Sequence, residues 1–393
     1  MFDFNIQRAA RMKELAYEGK VPHVDHENYG TFGVAMNSLY PTSVHHGMFV
    51  SMVNIMGSEE QVNAVKDDIT TYQILGCYAQ TEIGHGSDVQ GLETEAIYDE
   101  ENEQFIINSP NIKSYKFWPG DLGKMANHAV VFAKLIIKGE SYGVQPFFFR
   151  IRDSESHTTL EGIEVGDIGP KYGYAYKDNG YMCFHNHRIP RSAILSKYVS
   201  VSKDGIIQLK GDPRVAYSTM LWIRVQLLFF SWQVKFIALV HCARYTLKRK
   251  QFKTLPGTDI ERPIFDYQAT QRILIPIVAA SYATCTISHF CMNAFRKLTE
   301  EIKQEKFSLM NDLHVLISCL KAYFMDYDMD ALFKLRELQG GHGFLMIANI
   351  PGWIESWSPN VTLEGDTYVL YQQTTRKLLK VLKESQKGES VEK

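Results

Sequence analysis

The sequence has little of what several protein classes require. Its 42 lysines and arginines are balanced by 44 acidic residues, and this near-neutral charge excludes the strongly basic surface of a general nucleic-acid binder. The six cysteines include no C-x-x-C pair, which favours reduced, buried thiols over a disulfide framework or a zinc site. The first twenty residues lack the apolar core of a signal peptide and contain acidic residues that a mitochondrial presequence avoids. We therefore expect an intracellular chain, and its final residues, SVEK, do not match the peroxisomal tripeptide Ser-Lys-Leu.

Common catalytic motifs are also missing. GHGSD at 84–88 and GGHGF at 340–344 contain G-x-G without the third glycine of a dinucleotide-binding turn. No G-x-S-x-G, Walker loop or H-E-x-x-H occurs. Two groups of side chains have the local spacing of metal ligands: His23, Asp25 and His26, and the pair His45 and His46. Loop or core histidines are the favoured interpretation of both groups, so no metal site is predicted.

Length and hydropathy indicate a globular chain. At about 150 residues per domain, 393 residues suit two or three compact units, and 45% hydrophobic with 22% charged residues is an ordinary balance. Residues 273–295 form an uncharged run that is long enough to cross a bilayer. Ser281, Thr284 and Ser288 recur on one helical face of this run, a pattern typical of a helix buried between other helices. No membrane span is predicted.

The hydrophobic period changes twice along the chain. Residues 1–75 mix helical spacing with loops, and residues 76–195 have the β-branched, aromatic and turn-rich text of strands. Residues 196–393 are dominated by long helical patterns. We therefore predict an α+β chain with an N-terminal helical segment, a central β domain and a C-terminal helical bundle.

Three segments are candidates for ligand contact. In the first, a strand ends at Thr81 and enters a glycine-rich loop, which could face a planar heterocycle or be only a tight turn. In the second, KFWPGDLG, Gly120 permits close approach behind Trp118. In the third, Glu364 precedes Gly365 in TLEGDTYV, just before a helix with Asp366 as its N-cap. Glu364 is either a desolvated base with a raised pKa or an acid whose pKa is lowered by the helix dipole, and the pattern leaves both open.

Taken together, these segments resemble the acyl-CoA oxidase family, a branch of the acyl-CoA dehydrogenase superfamily. The resemblance covers roughly residues 40–385, and its text includes YAQTEIGHGSDVQGLETEAIYDEENEQFIINSP, KFWPGDLGKMANHAVVFAKLI, GIEVGDIGPKYGY, DNGY, NHRIPR, GGHGF and SPNVTLEGDTYVLYQQTTRKLLK. It implies an acyl-CoA dehydrogenase-like fold, with a β-barrel as the central domain. It also implies FAD as cofactor and oxidation of fatty acyl-CoA to trans-2-enoyl-CoA, with dioxygen reduced to hydrogen peroxide in peroxisomal β-oxidation.

The resemblance assigns roles to individual residues. Glu364 falls on the catalytic base, and Thr81 and Gly120 fall on positions that contact the flavin. Arg224 on the first bundle helix is expected to face the substrate. Three further residues match family positions that hold the FAD of a neighbouring subunit: Arg249, Gly340 and Gly341. This match implies a homodimer.

The chain also departs from the family pattern. Family members continue with a further helical domain, whereas this sequence stops at Lys393, and its N-terminal helical domain is shorter. Phe117 stands where the family usually has tryptophan, and Asp121 stands where it usually has glycine. After Glu364 the sequence is GDTY, where the family favours an acid followed by Asn and Thr. On the first bundle helix, bulky LLFFSWQVKF replaces the small residues that are usual there. Two alternatives therefore stay open: a truncated, non-catalytic paralogue with a structural or regulatory role, and a dehydrogenase that passes electrons to a protein carrier.

Overall fold

The computed structural model describes residues 11, 14, 18, 20, 42–174, 177–210, 217–254, 256–304 and 306–386. Most of the N-terminal part of the predicted helical segment, residues 1–41, lies outside these residues. The described chain forms two compact units. The first contains 11, 14, 18, 20, 42–171, 177–210 and 217–219, and the second contains 172–174 and the described residues from 220 onward. The helices around residues 45–70 thus share a unit with the strands, and the bundle begins at Met220 rather than at 196.

Two short helices precede the first strand. After a π-helical turn at His45–Val50, helix α1 spans Ser51–Met56 and helix α2 spans Glu59–Thr70. Ser58 starts α2, because its hydroxyl accepts the Gln61 backbone amide at 3.2 Å while the Gln61 side chain accepts the Ser58 amide at 3.0 Å. This reciprocal capping satisfies two backbone donors that have no partner inside the helix.

The first unit contains two main sheets, a strand pair and two apolar clusters. The larger sheet has the order β1-β5-β2-β3-β9 with β6 on the other side of β5, the smaller is antiparallel in the order β4-β8-β7, and β10 pairs with β11. Side chains from both main sheets pack into one cluster that includes Phe105, Phe147 and Phe184. The strands are β1 Gly76–Ala79, β2 Glu95–Asp99, β3 Gln104–Asn108, β4 Lys116–Gly120, β5 His128–Ile137, β6 Glu140–Arg150, β7 Ile163–Asp167, β8 Asn179–Phe184, β9 His187–Pro190, β10 Val199–Val201 and β11 Ile207–Leu209.

The sequence pattern anticipates several of these strands. The polar turn YDEENE separates β2 and β3, which pair antiparallel as a hairpin. Strands β5 and β6 are joined by Lys138 and Gly139, both at positive φ, as a tight hairpin turn requires. The strand pair β10–β11 falls after residue 195, where the predicted β domain ends.

The second unit is helical. Its core combines residues from four helices, among them Leu228, Ile277, Ile317 and Trp353. The six cysteines of the chain are free thiols, and four of them are buried, as the sequence predicts. The elements are α3 Tyr217–Lys248, the strands β12 Lys250–Lys253 and β13 Glu261–Pro263, α4 Gln268–Lys303, α5 Met310–Leu338, α6 Ile350–Trp357 and α7 Thr367–Gln386.

Two helices are long and apolar enough to cross a membrane by length and composition, Met220–Lys248 and Gln268–Lys303. The most apolar window of the first is 61% buried inside the protein, and that of the second is 28% buried. The predicted polar seam of α4, at Ser281, Thr284 and Ser288, is buried. Their hydroxyls donate to carbonyls of the preceding turn, which satisfies them without a partner from another helix.

Together these elements confirm the predicted α+β class.

Candidate functional site

Glu364 lies in the loop between the 3₁₀ turn Ser358–Val361 and helix α7. Glu364 and Gly365 both have positive φ, at 55° and 101°, so two successive residues adopt backbone conformations that side chains disfavour. Asp366 caps the helix as predicted, since its carboxylate accepts the backbone amide of Tyr368 at 2.9 Å. We call residues 362–366 the Glu364 loop.

Two buried cations hold the backbone of the Glu364 loop. Arg224 of α3 donates from Nε to the Glu364 carbonyl at 2.8 Å, and Lys321 of α5 donates from Nζ to the Gly365 carbonyl at 2.7 Å. Arg224 also donates from Nη1 to the Ser318 hydroxyl at 3.1 Å. Neither cation is exposed by more than 2%. Charged donors bind carbonyls more strongly than neutral ones, so this pair fixes the strained loop against the bundle.

The carboxylate of Glu364 itself has no hydrogen bond or ion pair with any residue that the structure describes. Its pKa is raised because burial disfavours the charged form, while Arg224 and Lys321 act in the opposite direction. The raised pKa agrees with the desolvated-base interpretation of the sequence. Burial also lowers the pKa of Lys321 to about 8, with the charge of Arg224 acting in the same direction.

In the first unit, the structure brings the segments around Thr81 and Gly120 together. The backbone amide of Phe117 donates to the Thr81 carbonyl at 2.9 Å, and Glu82 forms a bridge with Lys116. The Thr81 hydroxyl has no hydrogen-bond partner among the described residues. Trp118 has φ 84° and an exposed fraction of 55%, which leaves its indole open to solvent at this edge. A hydroxyl and an aromatic ring thus lie on neighbouring segments.

Glu82 anchors the glycine-rich loop that follows Thr81. Its buried carboxylate accepts the backbone amides of Glu93 and Thr94, at 2.7 and 2.9 Å, where the loop returns to the sheet. The same carboxylate pairs with the buried ammonium of Lys116 at 2.8 Å. Both ends of the loop are therefore attached to one ion pair, and the loop is more than a simple tight turn.

Gly120 is explained by packing inside its own unit. A Cβ at this position would lie 2.7 Å from Lys177 Cε and 2.7 Å from Val44 Cγ2. Lys177 is in turn paired with the buried carboxylate of Asp121, which also accepts the His45 amide at 3.2 Å. Burial raises the pKa of Asp121 to about 6. The aspartate that replaces the usual glycine is thus the partner of a buried lysine.

The structure places Arg249 and the Gly340–Gly341 pair at one end of the helical unit. Arg249 follows α3, its side chain is exposed, and it forms no ion pair with the described residues. Gly340 and Gly341 open the turn after α5, where an added Cβ would meet nothing within 4 Å. The Tyr245 hydroxyl, one helical turn before Arg249, and His342 Nδ1 lie 3.0 Å apart and link the two segments.

Sequence reasoning missed Lys321. Arg224 was expected to face the substrate; its Nε and Nη1 donate to Glu364 and Ser318, and a contact with the substrate stays a prediction. A usable signal exists for Lys321, which is the only lysine, arginine or acid between Asp312 and Asp326. A lone cation on an apolar helical face must find a buried acceptor.

Of the histidines considered as metal ligands, the structure describes His45 and His46. His45 is buried, its Nδ1 accepts the Gly76 amide at 3.0 Å, and burial lowers its pKa well below the ordinary value. His46 Nε2 lies 2.6 Å from the Tyr72 hydroxyl. Both are core histidines with protein partners. His23, Asp25 and His26 lie outside the described residues.

Two family models match the chain. "Acyl-CoA dehydrogenase, middle domain" matches residues 77–187, and "Acyl-CoA oxidase, C-alpha1 domain" matches residues 217–379. The first contains Thr81 and Gly120, and the second contains Arg224, Lys321 and Glu364. Both candidate regions therefore fall within matched segments.

Curated relatives and solved structures agree with these matches. Peroxisomal acyl-coenzyme A oxidase 1 of Cavia porcellus is 38% identical over 355 residues, and that of Homo sapiens is 37% identical over 356, each covering about nine-tenths of this chain. The chain spans about half the length of these relatives, 54% in both cases. The structure of Arabidopsis thaliana acyl-CoA oxidase 1 matches with a TM-score of 0.94 at 32% identity, over 100% of this chain and 60% of that one.

A second structure is acyl-CoA oxidase-2 of Caenorhabditis elegans, bound with FAD, ascaroside-CoA and ATP. It matches with a TM-score of 0.90 at 31% identity, covering 96% of this chain and 57% of that one. Sequence, domain matches and fold agree, and the chain belongs to the acyl-CoA oxidase family.

Proposed function

We propose that this chain is an FAD-dependent acyl-CoA oxidase that converts a fatty acyl-CoA and dioxygen into trans-2-enoyl-CoA and hydrogen peroxide. The observation that carries the proposal is the state of Glu364, a carboxylate without a protein partner on a strained loop whose carbonyls bind two buried cations. The carboxylate is free to accept a proton because Arg224 and Lys321 donate their hydrogen bonds to backbone carbonyls of the loop and not to the carboxylate.

Glu364 is the proposed base for the α-proton of the thioester. This proton is weakly acidic, so the base must be close, desolvated and fixed in orientation. Burial raises the pKa of Glu364, which makes the ionised form a stronger proton acceptor. Arg224 and Lys321 keep the carboxylate ionisable by their charge and keep it in place by their hydrogen bonds.

Thr81 and Trp118 suit a flat heterocycle with polar edges. The Thr81 hydroxyl can donate to such a ring, and the exposed indole of Trp118 offers an aromatic face beside it. A bound flavin would supply the hydride acceptor and the reaction with dioxygen. Thr81 would contact the ring through its hydroxyl, and the segment at Gly120 would contact the ring through its backbone.

We extend the proposal to a homodimer. Arg249, Gly340 and Gly341 are the residues through which one subunit would contact the FAD of the other. An exposed apolar run directly follows the glycines, with Phe344 78% and Ile347 92% exposed. Apolar groups in such a cluster favour a protein partner. Because the curated relatives are named peroxisomal, we propose the same compartment.

The test is spectroscopic. The purified chain is given FAD, its visible spectrum is recorded, and a long-chain acyl-CoA is added without oxygen before air is readmitted. The proposal expects a flavin band that bleaches and then recovers with peroxide in equal amount. Bleaching that recovers slowly in air with little peroxide would favour a dehydrogenase with a protein acceptor. A colourless protein that cannot be loaded with FAD would favour a non-catalytic paralogue.

A further inference from the structure

A second chemical cluster lies on one face of the small sheet β4-β8-β7. Glu164 of β7 is directly opposite Cys183 of β8 in the antiparallel register, and His185 follows Cys183 by two residues. Directly opposite residues of paired strands have neighbouring side chains, so the register brings the carboxylate to the thiol. His185 is the first residue past β8, and its Nε2 lies beside the same sulfur. The mechanism proposed above uses none of these groups.

The separations among the three groups are those of metal ligands. Cys183 Sγ lies 3.6 Å from His185 Nε2 and 3.8 Å from Glu164 Oε2, and His185 Nε2 lies 3.8 Å from the same oxygen. A tetrahedral Zn²⁺ with ordinary bond lengths would set its ligands about 3.4–3.6 Å apart. Shifts of a few tenths of an ångström would therefore complete the geometry.

We propose that Glu164, Cys183 and His185 form a zinc site, with Sγ, Nε2 and Oε2 as ligands and water in the fourth position. Thiolate, imidazole and carboxylate are the three side-chain groups that zinc prefers. Cys183 is buried, whereas the side chains of His185 and Glu164 are 59% and 54% exposed. The sulfur thus forms the floor of the site, and an ion enters from solvent past the other two. This inference reverses the expectation that the cysteines contribute no metal site.

Neighbouring residues hold two of the three ligands. The Tyr181 hydroxyl donates to Glu164 Oε1 at 3.1 Å, which leaves Oε2 as the oxygen that faces the thiol and the imidazole. The backbone amide of His185 donates to the Gly162 carbonyl at 2.8 Å and fixes the chain just past β8. Partners of this kind hold metal ligands in register with the ion.

The chain supplies a matched control. Cys285 Sγ and His289 Nδ1 on helix α4 also lie 3.8 Å apart, but no carboxylate joins them among the metal-ligand clusters of the described residues. A thiol and an imidazole alone give two ligands, which is too few for a closed zinc site. Cys285→Ser should therefore change nothing at the proposed site.

The experiment measures Zn²⁺ binding to the reduced full chain after removal of metals by a chelator, by competition with a chromophoric zinc indicator. Co²⁺ is then added in a parallel sample as a spectroscopic probe of sulfur ligation. The proposal expects one high-affinity Zn²⁺ per chain and a near-ultraviolet cobalt–thiolate band. Cys183→Ser and His185→Asn should remove both, whereas Cys285→Ser should retain both.

Tyr181→Phe keeps all three ligands and removes only the hydroxyl that orients Glu164, so it tests the site without disturbing the buried thiol. It should weaken Zn²⁺ binding about 10- to 100-fold. The proposal is overturned if the wild-type chain binds no zinc in the indicator assay, or if Cys183→Ser and Cys285→Ser have equal affinities. A cobalt spectrum without the thiolate band would also overturn it.

Discussion

Replacing Lys321 by methionine tests whether the buried cation positions Glu364 rather than merely fills the core. The change removes the hydrogen bond to the Gly365 carbonyl and the charge, and it keeps an unbranched side chain of similar length. We expect Lys321→Met to slow flavin reduction by saturating acyl-CoA about 10- to 100-fold, because small displacements of a reacting group have effects of this size.

The stability of the Lys321→Met variant should hardly change, because two terms oppose each other. Burial displaces the pKa of Lys321 from 10.5 to about 8, which corresponds to about 3 kcal/mol of unfavourable free energy for the charged form. The lost hydrogen bond from a charged donor contributes about 1.5–3 kcal/mol in the other direction. We therefore expect a net change within about 2 kcal/mol in urea unfolding at pH 7.

The pH dependence adds two readouts with definite signs. The charge of Lys321 lowers the pKa of Glu364, so its removal should move the acid limb of the rate profile to higher pH. Between pH 8 and 10.5 the unfolded chain holds a proton that folded Lys321 has lost, so the wild type should gain stability relative to the variant as the pH rises.

Lys334→Met on the same helix is the matched control. Lys334 is 48% exposed, and its one ion pair among the described residues is with an exposed aspartate, so its replacement should change neither rate nor profile. An unshifted acid limb in Lys321→Met, or a rate equal to that of Lys334→Met, would refute the positioning role.

Two further predictions concern the helical unit. Lys235→Met should lower the free energy of unfolding by about 3–5 kcal/mol in urea titrations, because it leaves the carboxylate of Asp328 buried without its cation; adding Asp328→Leu should recover most of the loss, and no recovery would argue against this cause. Gly365→Ala should lower the melting temperature and slow flavin reduction, since φ is 101° and the new Cβ would lie 2.8 Å from Leu370 Cδ2 and 3.1 Å from Arg224 Nη2; unchanged values for both would show that the Glu364 loop tolerates displacement.

Much of the fold follows from local pattern. β-Branched and aromatic residues predict β5 and β6, and the uncharged run with its polar seam predicts a buried face on α4. The boundary between the two units is harder to predict from the sequence, because strands β10 and β11 have only three residues each and their pattern does not distinguish them from loops. Their pairing extends the first unit beyond the predicted boundary at 195.

The sequence predicts the reactive group of the candidate site, Glu364, but it does not predict the residues that hold the Glu364 loop in place. Glu364, Gly365 and Asp366 are adjacent in sequence, so a loop carboxylate before a helix cap can be read directly. Lys321 approaches the loop from a helix some 40 residues earlier, and only the packing of α5 against α7 determines that meeting. The pKa direction of Glu364 likewise depends on burial by distant residues, which no local pattern encodes.

The most direct test of the account compares anaerobic flavin reduction by acyl-CoA in wild type, Glu364→Gln and the control Glu355→Gln, each loaded with FAD. Glutamine keeps the size of the side chain and cannot accept the α-proton. The account predicts that wild type and Glu355→Gln bleach, while Glu364→Gln binds FAD and acyl-CoA but stays oxidised. Bleaching of Glu364→Gln at the wild-type rate, or no bleaching of the FAD-loaded wild type, would contradict it.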